Sequence, residues 1–302
     1  MRLVNNHRQL LQGDHMLVIF GCLFVCGAVL GGFTMAGGQF MALVHPSEVV
    51  TIGGAALGAM IIMSPSKVLK DLMKGLIATM KGSPYNKNAY EDLFKALYDL
   101  FKLSRREGLL ALEKHISDPH KSDLFNKYPK FAHNHHAVEF VCGGISPVID
   151  GTIKPDQIPQ MMESEIRIIE EEHHQVIDVL SKTSDGMPGF GIVAAVLGIV
   201  ITMGAISGPV EEIGHKVGAA LVGTFLGILI SYGFLAPLAV RMTFIGHAES
   251  SYLKTIVAAI SGFVNDLPPK VALESARRNV GSEFRPTRTV MEGWFAAVDK
   301  GG

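Results

Sequence analysis

Apolar and charged positions are separated into long blocks along this chain. Residues 16–35 read MLVIFGCLFVCGAVLGGFTM without one Asp, Glu, Lys or Arg, and residues 186–210 and 217–240 are equally free of charge. About twenty apolar helical residues, each rising 1.5 Å, cross the ~30 Å hydrocarbon core of a bilayer. The pattern therefore predicts three membrane-spanning helices.

A fourth uncharged run, residues 49–66, is rich in Gly and Ala and ends before Lys67. We count it as a span because an uncharged run of this length is unusual in a soluble helix. The first run has a cleaved signal peptide as its alternative, but it is longer than the usual apolar region of about 7–15 residues. Met16 opens that run, so residues 1–15 are interpreted as an N-terminal extension that start-codon choice would add.

Basic residues then predict the orientation. Two precede the first span, sixteen lie between Lys67 and Lys182, Lys216 lies between the last two spans, and eight follow from Arg241 onward. Because short cytoplasmic loops collect Lys and Arg, both termini and the long loop are predicted to be cytoplasmic. The predicted fold is an all-α integral membrane protein with four transmembrane helices at residues 16–66 and 186–240, a large helical cytoplasmic domain at 67–185 and a cytoplasmic C-terminal helical segment at 241–302.

The long loop itself has helical periodicity. Apolar residues recur at three- and four-residue steps over residues 88–103, which predicts a helix with one broad apolar face. A second amphipathic piece is predicted to begin at Leu109, directly after Gly108. Residues 159–180 form a third predicted helix, whose run of Glu is typical of a solvated face.

Composition excludes several classes of protein. Of the 302 residues, 48% are hydrophobic and 18% are charged, and the formal net charge is −1. The low charged share argues against disorder, and the near-zero net charge argues against a basic nucleic-acid-binding protein. Three Cys are too few for a disulfide-framed secreted domain. We therefore expect a lipid bilayer, and no nucleic acid, among the partners.

The spans offer little ionisable chemistry. An ion carrier needs an ionisable group at membrane depth, and the first, third and fourth spans contain no Asp, Glu, Lys, Arg or His. Glu48, beside Pro46, is interpreted as a helix-start carboxylate that the helix dipole favours. If the protein conducts an ion, a partner is expected to supply the carrier.

No catalytic or metal centre is predicted. No nucleophile, base and orienting group form a recognisable set, so we do not expect an enzyme. His133, His135 and His136 cluster in the sequence, but no Cys or acid pattern completes a familiar ligand set. Cys22 and Cys26 are read as small apolar thiols on a membrane helix. Neither a cofactor nor a metal is therefore expected.

Small residues repeat at four-residue spacing in the spans. In lipid, close backbone approach between such residues supplies much of the helix association energy. Packing within one monomer and packing against other subunits both fit the sequence. The pairs are Gly27 and Gly31, Gly54 and Gly58, Gly214 and Gly218, and Gly223 and Gly227.

Two prolines lie near the cytoplasmic ends of the last two spans. Pro188 is predicted in the first turn of the third span, where its missing N–H costs nothing. Pro237 has apolar sequence on both sides, so it removes an i→i−4 hydrogen bond and can kink the fourth span. Simple helix punctuation and a hinge between membrane and cytoplasm both fit.

Three stretches together carry a family resemblance. Residues 220–229 read ALVGTFLGIL and are followed by Pro237, residues 187–195 read MPGFGIVAA, and residues 104–113 read SRREGLLALE. With these motifs, the chain resembles the flagellar motor stator A subunit, the MotA/PomA family of the wider MotA/TolQ/ExbB superfamily. The similarity covers roughly residues 16–288, including the number and order of spans.

The resemblance implies an assembly in the bacterial inner membrane. Five A subunits would surround two copies of a MotB-like B subunit, whose single membrane helices carry the ion-binding Asp. Thr224 would lie near that Asp on the ion path. Sodium-driven members carry a Thr where this chain has Ala195, which favours protons and leaves sodium as the alternative. The expected function is conversion of proton flow into rotation of the flagellar rotor.

The resemblance also implies how force reaches the rotor. Arg105 and Glu113 would face charged residues of the rotor switch protein FliG, and Pro188 and Pro237 would couple ion passage to movement of the cytoplasmic part. The Arg106–Glu107 pair departs from the family pattern, and Glu107 is expected to pair with Arg106 or a neighbour.

Two other readings predict different features. An ExbB/TolQ-like energiser of envelope transport usually has three spans, so the first hairpin argues against it. A self-contained channel or transporter predicts an intramembrane ionisable group or a broken helix. Apart from Pro237, the first, third and fourth spans offer neither feature.

Overall fold

The structure, a computed structural model, describes residues 13–204 and 206–301. All regular elements within these residues are helical, and none is a strand, which confirms the predicted all-α class. Residues 1–12 of the predicted N-terminal extension lie outside the described residues. Residue 13 already begins the first helix.

Helices follow one another with short connections. A π-helical turn, Ser231–Leu235, separates α10 from α11, and 3-10 turns occur at Phe40–Leu43, Leu109–Leu112, Pro119–Lys121 and Pro155–Gln157. In chain order the α-helices are α1 (Gly13–Met35), α2 (Pro46–Met63), α3 (Ser66–Lys81), α4 (Lys87–Glu107), α5 (Glu113–Ser117), α6 (Asp123–Asn126), α7 (Pro129–Ala132), α8 (His135–Ile149), α9 (Ile158–Gly204), α10 (Val210–Ile230), α11 (Ala236–Val264), α12 (Pro269–Arg277) and α13 (Arg288–Gly301).

Internal contacts divide the chain into two compact units. The membrane unit comprises the described part of residues 1–82 together with residues 172–245, and the loop unit comprises residues 83–171 and 246–302. The divisions fall inside α9 and at residue 245 of α11, so each of these helices contributes to both units. Packing defines these units, and the cytoplasmic boundaries at residues 67, 185 and 241 stay predictions.

Four helices of the described residues are long and apolar enough to cross a membrane, which confirms the predicted number of spans. Many of their large apolar side chains are exposed, including Phe20, Phe24, Ile62 and Leu221. Such surfaces suit contact with lipid or with the helices of other subunits, because apolar side chains need no hydrogen-bond partners there. The spans lie in Met16–Met35, Phe40–Met63, Pro155–Gly204 and Val210–Val264.

The helices do not begin and end where the charge-free runs do. The second helix runs from Pro46 to Met63 instead of over residues 49–66, because Ser64 precedes a proline and is extended, with φ −126° and ψ 131°. The fourth begins at Val210 instead of 217, since the acidic side chains of its first turn suit a helix N-terminus. A search for runs without charged residues misses helical turns that contain them.

The third predicted span does not begin as a separate helix. The helix expected at residues 159–180 and the span expected at 186–210 form one continuous helix, α9, which ends at Gly204. Lys182 and Asp185 lie between the two predicted segments without interrupting the helix. A charged side chain lowers the hydropathy of a segment but keeps its backbone N–H and C=O groups, so the helical hydrogen bonds continue.

The core of the loop unit is built on α4, as its periodicity predicts. Leu93, Phe94, Leu97 and Phe101 are fully buried on one face. The Asn86 side chain caps the helix by accepting hydrogen bonds from the amides of residues 88 and 89, a contribution of about 1 kcal/mol. α4 ends where Gly108 adopts a φ of +87°, a conformation that favours glycine.

The segment after Gly108 is less regular than expected. A 3-10 turn, Leu109–Leu112, precedes α5 in place of a second amphipathic helix. Leu112 is fully buried, whereas Leu110 is 74% exposed. Leu109 is also exposed, so the three leucines do not form one buried face.

Candidate ion path and rotor-facing surface

Glycines allow α9 and α10 to approach closely inside the membrane unit. A Cβ on Gly227 would lie 2.6 Å from the Met187 carbonyl oxygen, and a Cβ on Gly191 would lie 2.9 Å from the Gly223 carbonyl oxygen. Any larger residue would push the backbones apart. The Gly223–Gly227 pair therefore packs within one chain.

The other three glycine pairs stand on open faces. A Cβ built on any of their glycines meets no atom within 4 Å among the described residues outside its own helix turn. The sequence left packing within and between subunits equally open, and the structure separates the pairs in this respect. The open glycines are Gly27, Gly31, Gly54, Gly58, Gly214 and Gly218.

The two predicted ion-path residues belong to the α9–α10 crossing. The Thr224 Cα lies 3.1 Å from the position of a Cβ on Gly191. Ala195 follows Gly191 by one helical turn, on the same face of α9. Both Thr224 and Ala195 are half-buried. The crossing thus presents one hydroxyl-bearing residue and one small apolar residue, and their role in ion passage stays a prediction.

Glu48 lies in the first turn of α2, as expected, but its carboxylate is buried against α10. The residue is 7% exposed, and its Oε2 atom lies 2.6 Å from the position of a Cβ on Gly223. Oε2 has no hydrogen-bond partner among the described residues. Burying a carboxylate oxygen without a hydrogen bond is costly. A position at the start of a helix does not by itself require this burial against α10. The only sequence signal was its place in a hairpin otherwise free of acids.

Pro188 stands in the interior of α9, not in the first turn of a separate span. Its missing N–H therefore matters, because the residue four positions earlier, Ser184, loses its backbone donor. Pro237 follows the π-helical turn at Ser231–Leu235 and is exposed. Both prolines thus interrupt regular α-helical hydrogen bonding, which suits the predicted hinge role without testing it.

Arg105 is exposed but is held by the chain itself. Its guanidinium donates hydrogen bonds to the main-chain carbonyls of Asp266 and Leu267, and the Asp266 carboxylate lies 3.8 Å away. Asp266 has a φ of 59°, in the left-handed region. Arg105 therefore stabilises the turn after α11 in addition to carrying a surface charge.

The remaining charges of the motif divide into a pair and a single acid. Arg106 donates two hydrogen bonds to Glu107, of 3.0 and 2.7 Å, which confirms the expected local pairing. Glu113 is exposed at the first position of α5, where a carboxylate suits the helix dipole. No ion pair joins Arg105 to Glu113 among the described residues.

The histidines singled out in the sequence make separate contacts. His133 Nδ1 lies 2.7 Å from the Pro129 carbonyl oxygen, and His136 Nδ1 lies 3.4 Å from the Glu249 carboxylate. Within the described residues, no three His, Cys, Asp or Glu side chains converge as metal ligands do.

Comparison with known proteins agrees with this architecture. Residues 132–252 match the MotA/TolQ/ExbB proton channel family, and residues 19–108 match the motility protein A N-terminal family. The class is therefore that of multi-pass membrane proteins of a proton channel family, which is not an enzyme class.

Relatives that match along almost the whole chain identify the family within this class. The chain is 35% identical over 283 residues to motility protein A of Salmonella typhimurium and to that of Escherichia coli, covering 94% of this chain and 96% of each relative. It belongs to the motility protein A family. The fold also matches the flagellar MotAB stator complex from Bacillus subtilis, with a TM-score of 0.70 and 23% identity over 91% of this chain and 98% of that one.

Proposed function

We propose that this chain is the A-type stator subunit of a flagellar motor, and that it converts ion flow into rotation together with a B-type partner. The observation that carries the proposal is the match of residues 19–108 to the motility protein A N-terminal family, beside the match of residues 132–252 to the MotA/TolQ/ExbB proton channel family. The ExbB/TolQ-like alternative accounts for the channel segment alone. The match to the N-terminal family favours the motor.

The proposed partner is a MotB-like subunit with one membrane helix that carries an ion-binding Asp. Two such subunits would lie inside a ring of five A subunits. Support comes from residues 16–35, 186–210 and 217–240, which contain no Asp, Glu, Lys, Arg or His, and from the open glycine faces on α1, α2 and α10. A ring of A subunits would cover those faces.

The proposed site of action is the inner membrane, with both termini and residues 67–185 and 241–302 in the cytoplasm. Of 27 basic residues, 26 then lie on the cytoplasmic side. Each elementary charge that crosses ~100 mV releases about 2.3 kcal/mol, which sets the scale of energy available per ion.

Rotor contact is assigned to Arg105 and Glu113, which would meet charges on the rotor switch protein FliG. Glu113 is exposed, and Arg105 is partly committed to the turn at Asp266. Exposed ion pairs contribute only about 0–1 kcal/mol each. These charges therefore orient and align the contact with the rotor, and they contribute little to the strength of binding.

The proposed ion is the proton. Ala195 supplies no hydroxyl where sodium-driven members carry one, and Thr224 would be the polar residue nearest the partner's Asp. Pro188 and Pro237 would pass movement from the ion path to the loop unit.

Expression of the chain with the neighbouring B-type gene in a strain that lacks stators tests the proposal. Restored swimming is expected for the unmodified pair. A pair that reaches the membrane and leaves the cells immotile would contradict it. A control strain with the B-type gene alone should stay immotile.

A further inference from the structure

A pair of buried serines joins the two helices that carry the prolines. Ser184 and Ser231 are 1% and 0% exposed. Ser231 Oγ lies 2.7 Å from the Ser184 carbonyl oxygen, and Ser184 Oγ lies 3.2 Å from the Ser231 carbonyl oxygen. Each hydroxyl thus reaches the main chain of the opposite helix.

The first of these bonds replaces the one that Pro188 removes. In an α-helix the Ser184 carbonyl would accept from the N–H of residue 188, and proline has no N–H. A buried carbonyl without a donor is destabilising. The Ser231 hydroxyl supplies that donor from the neighbouring helix.

The second bond reaches the π-helical turn that precedes Pro237. The Ser231 carbonyl already accepts from the Ala236 N–H, five residues later. The Ser184 hydroxyl can occupy its second lone pair. A π-helical turn is a local departure from regular pairing and is common at functional sites. The two serines therefore join α9 to the π-helical turn at the positions where regular α-helical hydrogen bonding is interrupted.

We propose that Ser184 and Ser231 form a serine latch that makes the Pro188 and Pro237 regions move as one body when ions pass. The inference rests on the proposed stator function. Both serines are positioning residues, because they act on the backbone beside the prolines. Without the latch each helix would bend separately, and less of the movement caused by an ion would reach the loop unit.

The two serines are not equivalent, and this asymmetry provides a stability test. Ser231→Ala removes the donor to the Ser184 carbonyl, whereas Ser184→Ala leaves that bond in place. Loss of one such bond is expected to lower the unfolding temperature of the purified complex by about 2–4 °C for Ser231→Ala. Ser184→Ala is expected to lower it less.

Pro188→Ala provides a matched rescue. Alanine at position 188 restores an N–H for the Ser184 carbonyl, so Ser231→Ala should cost less in the Pro188→Ala background than in the unmodified chain. Thr183→Ala is the control, because the Thr183 hydroxyl is buried but donates within its own helix to Val179, at 2.8 Å. Equal costs for both serines, with no rescue, would overturn the latch.

Motor torque tests the functional part. In complexes with the B-type partner, Ser231→Ala is expected to lose stall torque while keeping its ion conductance, and Thr183→Ala should keep both. If Ser231→Ala does not accumulate, Ser184→Ala is measured and should show the same divergence to a smaller degree. Unchanged torque, or torque and conductance lost in proportion, would contradict the latch. Failure of the proposed stator function is distinguishable, because the unmodified pair would then drive no rotation.

Discussion

The Glu48 carboxylate lies against Gly223, with Oε2 2.6 Å from the position that a Cβ on residue 223 would occupy. Glycine at this position therefore leaves room for a buried acid next to Thr224. This contact joins α2 to α10 at the same crossing where α9 packs. The arrangement places a carboxyl beside the proposed ion path, although the sequence of the spans is almost free of charge.

Gly223→Ala is expected to be tolerated better than Gly227→Ala. The alanine methyl at 223 meets the end of the Glu48 side chain, which can turn away, and the Ala194 Cβ at 3.1 Å. At 227 it meets only backbone, with the Met187 carbonyl oxygen at 2.6 Å. Overpacking against backbone costs about 1–3 kcal/mol. Thermal unfolding of the two purified variants in detergent measures the difference.

The Glu48→Ala variant serves as the control for this comparison. It removes the side chain that the new methyl would meet, so Gly223→Ala should be less costly in that background. The Gly227→Ala cost should not change. An equal loss of stability for both glycine variants in both backgrounds would contradict the packing described for α9 and α10.

Substitutions at Arg105 separate its two roles. Arg105→Gln removes the charge but keeps one amide donor on a shorter side chain, whereas Arg105→Ala removes both the charge and the donor. If the charge meets the rotor, both variants slow motors that work against load. Arg105→Ala should also speed amide exchange at residues 265–267, and more than Arg105→Gln does.

Arg106→Gln is the matched surface control, because Arg106 pairs with its neighbour Glu107. It should change motor speed less than Arg105→Gln does. Normal speed under load in Arg105→Gln, combined with impaired speed in Arg105→Ala, would assign Arg105 a purely structural role.

Docking of α13 should depend on acid pH through Asp299. The hydrogen bond from Lys102 lowers the pKa of the Asp299 carboxyl below its ordinary value of 3.8. The folded form therefore gains stability above pH 3.8 and loses it as the pH falls below that value. Because the pair is partly exposed, the contribution is about 0–1 kcal/mol.

Trp294, the only tryptophan of the chain, is buried in α13 and reports this docking. Its fluorescence during denaturant unfolding, measured at pH 6 and at pH 3, gives the stability at each pH. Asp299→Asn should reduce the difference between the two pH values. An unchanged pH dependence in that variant would show that other carboxyls account for it.

His115 gives the segment after Glu113 a second pH dependence. Burial, together with the nearby Lys114, lowers the pKa of His115 below its ordinary value of 6.5. The folded state therefore favours neutral imidazole, and stability present above pH 6.5 is lost as the pH falls below it. The ring Nδ1 lies 2.8 Å from Ser122 Oγ, and the side chain is buried.

Amide exchange at residues 113–126, corrected for intrinsic rates, measures this effect. Protection is expected to fall between pH 7 and pH 5 in the unmodified chain and to vary less in His115→Gln. Constant protection in the unmodified chain would contradict the prediction. Residues 288–301 serve as an internal reference, because they lack histidine.

Hydrophobic patterning predicted the helical class, the four spans and the buried face of α4, because the spans depend on the length of the charge-free runs and the α4 face depends on short-range periodicity. It divided α9 into two separate helices, since the charge at Asp185 does not end a helix whose backbone hydrogen bonds continue. It also placed Pro188 in a first turn. The hydroxyl that replaces the missing donor belongs to Ser231, and sequence spacing alone does not reveal that contact.

In the candidate site, too, the sequence predicted some features, and other features became visible only in the structure. Family motifs pointed to Thr224, Ala195, Arg105 and Glu113, but side-chain surroundings depend on contacts between distant segments. The burial of Glu48 follows from Gly223, and the anchoring of Arg105 follows from the turn at Asp266. Gly223 and Asp266 are distant in sequence from Glu48 and Arg105, so local sequence patterns do not predict these two contacts.

Rotation speed of a bead attached to the flagellum tests the central claim most directly. The strain should carry only this chain and its B-type partner, and the proton gradient should be collapsed by an uncoupler at constant external sodium. The account predicts that rotation slows in step with the gradient and stops when it vanishes. Rotation that persists without the proton gradient and follows the sodium gradient would contradict the proton assignment, and no rotation at all from the assembled pair would contradict the stator function.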